Sequence, residues 1–312
     1  MHVDLFMQFN LQNHLQEPNE DLHHKNCELA CLGSLAAEMT LDEFVEIQKY
    51  LAAGMTLKKS VLSLKESMFT NRIKTNPELI NDGLKALEIC RVKKFNVIYP
   101  GHALFPESLL EIDRPPKLLT YIGEPAWLTQ NKISVVGSRE MSPNARQWME
   151  LYFNIYLQKS RSVTVSGAAF GIDQLVHSLS VRNLLPTIAF LPSGLDQIYP
   201  RRFAYDIVHL LATKGAVVSE FLPNVEMKKH HFERRNRLIS GVSRVLFVVE
   251  ARRKSGSILT ARLALSQGKT LCVLPSSPQE TRNLGNLDLL FDGAHPLRDE
   301  KDLFVITGAR SL

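Results

Sequence analysis

The pattern of apolar and polar positions changes near residue 90. Residues 20–90 carry apolar side chains at three- and four-residue spacing, interrupted by glycine and proline, as amphipathic helices do. The polar run NRIKTN (71–76) within them is expected to be a solvated loop. Residues 97–122 combine short apolar runs with several prolines, which favours edge strands and turns. We therefore expect a small α-helical domain over residues 1–90 and a second domain over residues 91–312.

The second domain alternates short apolar runs with helical patterns. The runs are continuously apolar, as strands buried on both faces are, and helices are predicted between them, for example over residues 144–159 and 173–183. This order predicts an α/β fold with a doubly wound, mostly parallel sheet and helices on both faces. The predicted strands are ISVV (133–136), SVTVS (162–166), TIAFL (187–191), AVVSE (216–220), RVLFVVE (244–250) and TLCVLP (270–275).

Positive charge is concentrated in one stretch of this second domain. Lys228 to Arg262 holds ten Lys and Arg against two Glu, a net charge of +8, whereas the whole chain carries +5. The other residues therefore sum to −3. Because the basic excess is local, it predicts a binding site for an anion. Val245 to Val249, near its centre, is predicted to be a buried strand with basic loops at both ends.

Small and hydroxylated residues follow the predicted strands. In doubly wound sheets ligands bind beyond the carboxyl ends of the strands, where backbone N–H groups and hydroxyls suit a phosphate. The run SGAAFGID (166–173) lacks the second glycine of the dinucleotide motif GxGxxG, and the chain has no GxxxxGK[ST] loop, so NAD, FAD and P-loop ATP are not expected. The residues at the strand ends are Gly137-Ser138-Arg139, Ser166-Gly167, Pro192-Ser193-Gly194, Ser219-Glu220, Glu250 and Pro275-Ser276.

Length and composition indicate a soluble globular protein. A chain of 312 residues can bury a core without disulfides or metals. No stretch approaches the roughly 18 to 20 apolar residues of a spanning helix, and the N-terminus lacks the features of a signal peptide. We therefore expect a cytoplasmic protein that does not bind membranes.

One cluster has the residue types of a metal site. His23, His24, Cys27 and Cys31 place soft ligands within two turns of a helix, but no second ligand pair lies nearby. Buried thiols on a helix are the simpler interpretation. No metal site is expected.

Candidate catalytic residues are few. Asp173 and His177 would share a helix face, and Glu220 and Glu250 are predicted to end neighbouring strands. No nucleophile elbow or metal-ligand pair accompanies them. A helix N-cap is the simpler role for Asp173, and a packing position is the simpler role for His177. The chain is therefore expected to be a binding protein and not an enzyme.

Nucleic acid suits the basic stretch better than a small substrate does. Binding of a polyanion needs several cations and backbone donors, and a single strand also needs an aromatic ring on which a base can stack. Phe232 is either such a ring or part of the core. Asn236 either contacts the nucleic acid or caps a helix that begins at Arg237. The candidate phosphate contacts are Lys228, Lys229, Arg235, Arg237 and Arg139.

Seven motifs in one order resemble the DNA-processing protein A family, DprA or Smf. They extend over about 200 residues, so together they are far more specific than a single glycine motif. The motifs are VGSR (136–139), SGAAFGID (166–173), GLDQIYP (194–200), SEF (219–221), FERRNRLISGVS (232–243), VVEARRKSGSILTARLA (248–264) and GNLDLLFDGA (285–294).

The resemblance implies an extended Rossmann-like domain in a bacterial cytoplasmic protein that acts as a homodimer and is not an enzyme. It implies binding to the single-stranded DNA taken up in natural transformation, protection of that DNA, and loading of the RecA recombinase onto it. No cofactor is implied. Matched position by position, the DNA-binding role falls on Arg139, Ser166, Gly167, Lys229, Phe232, Arg235, Asn236, Arg237, Ser255, Gly256 and Ser257.

The chain departs from the family pattern in three places. Ala168 and Phe170 stand where the family usually has smaller or basic residues, and LPSSPQE (274–280) lacks the usual Pro-Gly. The chain ends at Leu312 without the winged-helix domain of many members, so no contribution from such a domain is expected.

Two other classes of function stay open. One is a Rossmann-type enzyme that acts on a nucleoside phosphate, although the PGGxGTxxE run of such hydrolases is absent. The other is a protein whose basic loops meet an acidic surface of a partner protein.

Overall fold

The computed structural model describes residues 20–36, 38–128 and 131–310. The start of the expected 1–90 domain lies outside these residues. The chain forms two compact units, which we call the helical unit (Met1–Ile122, Ser193–Gln197 and Ser219–Glu226) and the sheet unit (Gly123–Pro192, Ile198–Val218 and Met227–Leu312). The domain boundary expected after residue 90 stays a prediction.

The helical unit confirms the helical region expected near the N-terminus. Its core is a buried cluster that includes Leu29, Phe44 and Phe69. A capping box fixes the start of the second helix, because Thr40 accepts the N–H of Glu43 while the Glu43 carboxylate accepts the N–H of Thr40 at 2.7 Å. The elements are α1 (Glu20–Leu35), α2 (Leu41–Ala52), α3 (Leu57–Leu62), α4 (Met68–Thr75), α5 (Glu78–Lys93), β1 (Asn96–Ile98) and β2 (Leu119–Gly123).

Residues 71–76 and the two cysteines of α1 have definite positions in this unit. The loop expected at residues 71–76 is wrong, because most of the run belongs to α4, which Ser67 caps. Cys27 and Cys31 are buried on α1, and burial raises the pKa of the Cys27 thiol to about 12. Among the described residues, no group of three or more His, Cys, Asp or Glu side chains is arranged to hold a metal ion.

The sheet unit holds a parallel sheet. Within the described ranges it contains seven strands in the order β6-β5-β4-β3-β7-β8-β9. The strands are β3 (Lys132–Val136), β4 (Val163–Ser166), β5 (Thr187–Phe190), β6 (Ala216–Ser219), β7 (Val245–Val248), β8 (Thr270–Val273) and β9 (His295–Pro296). The helices are α6 (Pro143–Trp148), α7 (Asn154–Ser160), α8 (Ile172–Arg182), α9 (Phe203–Ala212), α10 (His231–Val242), α11 (Gly256–Ser266), α12 (Leu284–Phe291) and α13 (Glu300–Thr307), with a π-helical turn at Met149–Phe153 between α6 and α7.

The strand order reverses at β3, which pairs with β4 on one side and with β7 on the other. The chain therefore winds outward from β3 twice, in opposite directions. Right-handed crossovers then place the connecting helices on opposite faces of the sheet. The predicted doubly wound, mostly parallel α/β fold is confirmed.

Side chains of β3 alternate between the two faces of the sheet. Ile133 and Val135 belong to the buried cluster that includes residues of α6 and α8. Ser134 points the other way, where its hydroxyl donates to the Ile239 carbonyl of α10 at 2.5 Å. Alternation along one strand thus joins two helical layers to the sheet.

Among the described residues, no helix combines the length and the apolar character that crossing a membrane requires.

Candidate functional site

A cavity of about 440 Å³ opens where β3 and β7 end, at the reversal of strand order. Ligands of doubly wound sheets bind at this position. We call it the Arg–Phe cavity. It brings together seven of the predicted site residues: Arg139, Phe232, Arg235, Asn236, Ser255, Gly256 and Ser257.

The loop after β3 forms one wall. Gly137 packs so closely on Ile172 that a Cβ atom added there would lie 2.5 Å from the Ile172 side chain. Gly171 has φ of +77°, and a Cβ there would lie 2.3 Å from the Ser138 carbonyl oxygen. These close approaches hold the loop so that Arg139, which is exposed, lines the cavity.

Phe232 lines the cavity and has two cations close to its ring. The guanidinium carbons of Arg139 and Arg235 are 5.3 and 5.7 Å from the centre of its ring, within the range of a cation–π interaction. Tyr199 meets the ring edge-on at a centroid distance of 6.1 Å. The ring is half-buried and lines the cavity, so it is not enclosed in the core.

Arg235 is a buried cation with a loosely placed counter-ion. It is 4% exposed, and its Nη1 lies 3.9 Å from a carboxylate oxygen of Asp173. Burial lowers the pKa of Arg235 to about 10, and burial also raises the pKa of Asp173 above its usual value, against the attraction of Arg235. The Nε atom of Arg235 has no hydrogen-bond partner within the described residues. The guanidinium therefore retains a donor in the wall of the cavity.

The start of α11 forms the opposite wall. Ser255 caps this helix by accepting the N–H of Ile258 at 3.4 Å. Ser257 donates to the Gly137 carbonyl at 2.9 Å, which ties the helix to the loop after β3. Gly256 is exposed, and a Cβ there would meet open space apart from the Asn236 amide at 3.9 Å. A helix N-terminus faces the cavity, and such an end favours anions.

Four predicted site residues do not line the Arg–Phe cavity. Ser166 is buried and donates to the Val135 carbonyl at 2.7 Å. Gly167 lies directly behind Arg235, where it leaves room for the guanidinium. Lys229 is exposed in the segment before α10. Arg237 is buried, and its carbonyl oxygen accepts from Gln267 at 3.1 Å.

Three interpretations made from the sequence are wrong in their local geometry. Asp173 is not an N-cap, because Gly171 precedes α8 and Asp173 lies in its first turn. Asn236 does not cap a helix beginning at Arg237, because α10 begins at His231. Glu220 and Glu250 do not follow neighbouring strands, since three strands separate β6 from β7.

Glu250 has a structural role next to the cavity. Its carboxylate accepts the Ser142 N–H at 2.9 Å and the Asn283 amide at 2.8 Å. Both oxygens are therefore occupied in joining two loops. His177, buried further along α8, lies outside the Arg–Phe cavity.

Two charged residues of the rim were not among the site residues predicted from the sequence. Glu140 and Arg252 line the cavity and form an ion pair at 2.7 Å. Arg253, next along the chain, instead pairs with Asp288 through two hydrogen bonds at 2.7 and 2.9 Å. The position of Glu140 directly after Arg139 was the available signal for the acid at the rim.

Comparison with known proteins finds a family model that matches most of the chain. The family model described as DNA recombination-mediator protein A matches residues 96–307. Protein Smf of Escherichia coli strain K12 is 40% identical over 171 residues, which are 55% of this chain and 46% of that protein. The chain therefore spans about half the length of this relative.

DprA proteins are similar in sequence and in structure. DNA processing protein DprA of Streptococcus pneumoniae is 33% identical over 229 residues, 73% of this chain and 76% of that one. An X-ray structure of DprA from S. pneumoniae superposes with a TM-score of 0.70 at 26% identity, covering 90% of this chain and 97% of that one. A DprA structure from Helicobacter pylori, whose title concerns its single-stranded DNA binding mode, gives a TM-score of 0.59 at 27% identity over 69% of this chain and 97% of that one.

Proposed function

This chain belongs to the DNA recombination-mediator protein A family, and we propose that it binds single-stranded DNA in the Arg–Phe cavity. The family is one of recombination mediators and not of enzymes. The proposal extends to the finer roles that the family resemblance implies: protection of incoming DNA in natural transformation and loading of the RecA recombinase.

One observation carries the proposal. Arg139 and Arg235 both lie within about 6 Å of the centre of the Phe232 ring, and the N-terminus of α11 lines the same cavity, so two cations, an aromatic ring and a helix end meet there. A phosphate of a single strand would bind the guanidinium groups and the helix end. The adjacent base would stack on the face of Phe232 after displacing part of the Arg139 side chain, which is exposed and able to move.

The residue assignments follow from these positions. Arg139, Arg235, Asn236 and Ser255 to Ser257 are proposed to contact the DNA inside the cavity. Lys229 is proposed to bind a phosphate at the point where the DNA strand leaves the cavity. Ser166, Gly167 and Arg237 are proposed to act by supporting the cavity, because they lie behind or beside its walls.

The test is a titration of labelled oligo-dT by fluorescence anisotropy at two salt concentrations. Arg139→Ala and Lys229→Ala should each weaken binding roughly tenfold or more, since a charged hydrogen bond contributes about 1.5 to 3 kcal/mol. Each change should also make the slope of log affinity against log salt shallower by about 0.7. Arg146→Ala is the matched control, because Arg146 is exposed, pairs with Glu150 and lies outside the cavity.

Two outcomes would contradict the proposal. The first is tight binding by both variants with no salt dependence. The second is preference for duplex over single strand, since a stacked base must be unpaired. Competition by an acidic protein, but not by oligo-dT, would instead support a protein-binding role for the basic loops.

Homodimer formation and RecA loading need separate measurements. Phe291 on α12 is 94% exposed and Val305 on α13 is 83% exposed, so these large apolar side chains are candidates for a surface that a second copy covers. Sedimentation equilibrium of the wild type and of Phe291→Glu tests this dimer. RecA filament assembly on an oligonucleotide, followed with and without the protein, tests the loading role.

A further inference from the structure

A second cavity, of about 260 Å³, lies between α8 and α9 of the sheet unit. It shares no lining residue of the described chain with the Arg–Phe cavity. Its lining residues recur at helical spacing on the two facing helices. Those that bear on a ligand are Gln174 and His177 of α8, Arg202 at the start of α9, and Phe203, Asp206 and His209 along α9.

Two polar atoms of this lining are buried and make no hydrogen bond with the described residues. His177 is 4% exposed, and its Nε2 makes no hydrogen bond with any described residue. The side-chain amide nitrogen of Gln174 is also buried and has no hydrogen-bond partner within the part of the chain that the structure describes. Buried polar atoms without a partner are costly, so a pair of them in one cavity suggests a ligand.

A chain of hydrogen-bonded hydroxyl groups determines which nitrogen of the His177 ring carries the proton. Ser180 donates to the Val176 carbonyl at 3.1 Å, so it must accept from Thr164, which lies 2.7 Å away. Thr164 then accepts from Thr187 at 2.7 Å, and Thr187 accepts from Nδ1 of His177 at 2.7 Å. This direction forms four hydrogen bonds, whereas the reverse direction forms three.

The His177 ring therefore carries its proton on Nδ1 and keeps a lone pair on Nε2. Burial, with a smaller contribution from Arg235, lowers the pKa of His177 to about 3, so the ring is neutral near pH 7. The cavity thus offers one acceptor, Nε2 of His177, and one donor, the Gln174 amide, from adjacent turns of one helix.

We propose that this cavity binds a nucleobase through an edge that presents a donor beside an acceptor. A base would donate an N–H to His177 and accept from Gln174, which satisfies both buried atoms. Phe203, whose ring centre lies 5.7 Å from that of His177, adds an apolar wall. The rim carries Arg202, Asp206 and His209, which are exposed and of mixed charge, so it favours a neutral base over a phosphate.

Two sources of the base are possible, a free nucleoside and a base of a bound DNA strand, and the test separates them. The first measurement follows the imidazole nitrogens of ¹⁵N-labelled wild-type protein by NMR. Nε2 of His177 should show the resonance of an unprotonated nitrogen near pH 7 and should shift on addition of thymidine or deoxyadenosine. A protonated Nε2, or no shift with either nucleoside at millimolar concentration, would overturn the proposal.

Variants then locate the binding. Gln174→Met keeps the length of a partly exposed side chain and removes its donor, so nucleoside affinity should fall about five- to tenfold, as expected for one lost hydrogen bond. Gln279→Met, an exposed glutamine elsewhere, is the matched control. His177→Phe should lower nucleoside affinity at least as much. If His177→Phe does not fold, Gln174→Met still tests the proposal.

Titrations with thymidine and with oligo-dT distinguish a free nucleoside from a base of a bound DNA strand. A loss for thymidine but not for oligo-dT in Gln174→Met assigns a free nucleoside, and a loss for both assigns a base of the strand. Arg139→Ala should leave thymidine binding intact while it weakens oligo-dT, so this proposal and the proposed function fail separately. Equal affinity for N-methylacetamide and thymidine would contradict a site for a base.

Discussion

Gly167 and Arg235 are predicted to depend on each other for stability. A Cβ atom at position 167 would lie 1.3 Å from Nη1 and 2.4 Å from Cζ of Arg235. Gly167 does not have a positive φ, so an alanine backbone is allowed there and the guanidinium is the obstacle. In Gly167→Ala the guanidinium must retreat by about 2 Å to reach the roughly 3.5 Å of ordinary contact.

The expected magnitude follows from the ion pair. Retreat of the guanidinium leaves the buried Asp173 without its cation, and breaking a buried pair costs about 3 to 5 kcal/mol. The 3.9 Å separation of Arg235 and Asp173 is long, so we expect Gly167→Ala to lower the free energy of unfolding by about 3 kcal/mol, at the lower end of that range. In an Arg235→Ala background the same change should cost less than about 0.5 kcal/mol, because nothing then occupies the space.

Urea unfolding of the wild type, both single variants and the double variant measures this coupling. The two changes should be non-additive by about 2 to 3 kcal/mol with an unchanged m-value. Additivity within about 0.5 kcal/mol would show that the guanidinium moves aside without cost, and would refute the reasoning. Gly256→Ala is a control, since a Cβ there meets only the Asn236 amide at 3.9 Å.

Three further predictions concern the ring, the turn and the histidine. Phe232→Leu should weaken oligo-dT binding by about 1 to 3 kcal/mol without changing the salt slope, because a stacking face is lost and no charge is removed; a changed slope in the anisotropy titration would contradict this. Ser257→Ala should cost about 1 kcal/mol in urea unfolding through the lost bond to the Gly137 carbonyl, whereas Ser277→Ala, at an exposed position, should cost less than about 0.5 kcal/mol. The pKa of His177 is lowered from 6.5 to about 3, so the unfolded chain takes up the proton first and this contribution to stability should fall as pH decreases from 6.5 towards 3. His177→Gln should flatten that dependence, and an identical pH profile of the urea midpoint in both proteins would contradict the assignment.

The strands of the sheet were predictable because β3 to β8 are buried along almost their whole length and are rich in apolar, β-branched residues. The basic stretch also located the cavity, since Phe232, Arg235 and Asn236 line it. The phase of α10 was not predicted, because its first residue is His231 and not Arg237. With the helix beginning at His231, Phe232, Arg235 and Asn236 share one face at spacings of three and four, whereas Arg237 points elsewhere. A helix predicted to begin at Arg237 excludes Phe232, Arg235 and Asn236, so the face that these three residues share could not be predicted.

Other misses have a different physical cause. The hydroxyl of Ser166 is used by the Val135 carbonyl, and such a long-range bond leaves no mark on the local sequence. The ion pair of Arg252 with Glu140 joins residues more than 100 positions apart. The cavity between α8 and α9 depends on how two helices pack and on which atoms remain without partners, and neither follows from a motif.

The pairing of β3 with β7 has a consequence for protein synthesis. The walls of the Arg–Phe cavity come from the loop after β3 and from the start of α11, joined by the bond between Ser257 and Gly137. A ribosome that has produced β3 to β6 has made four of the seven strands that the structure describes in the sheet unit, but only one of these two walls. The cavity can form only after α11 has left the exit tunnel. A nascent chain arrested earlier is therefore expected not to bind single-stranded DNA, even if β3 to β6 have folded.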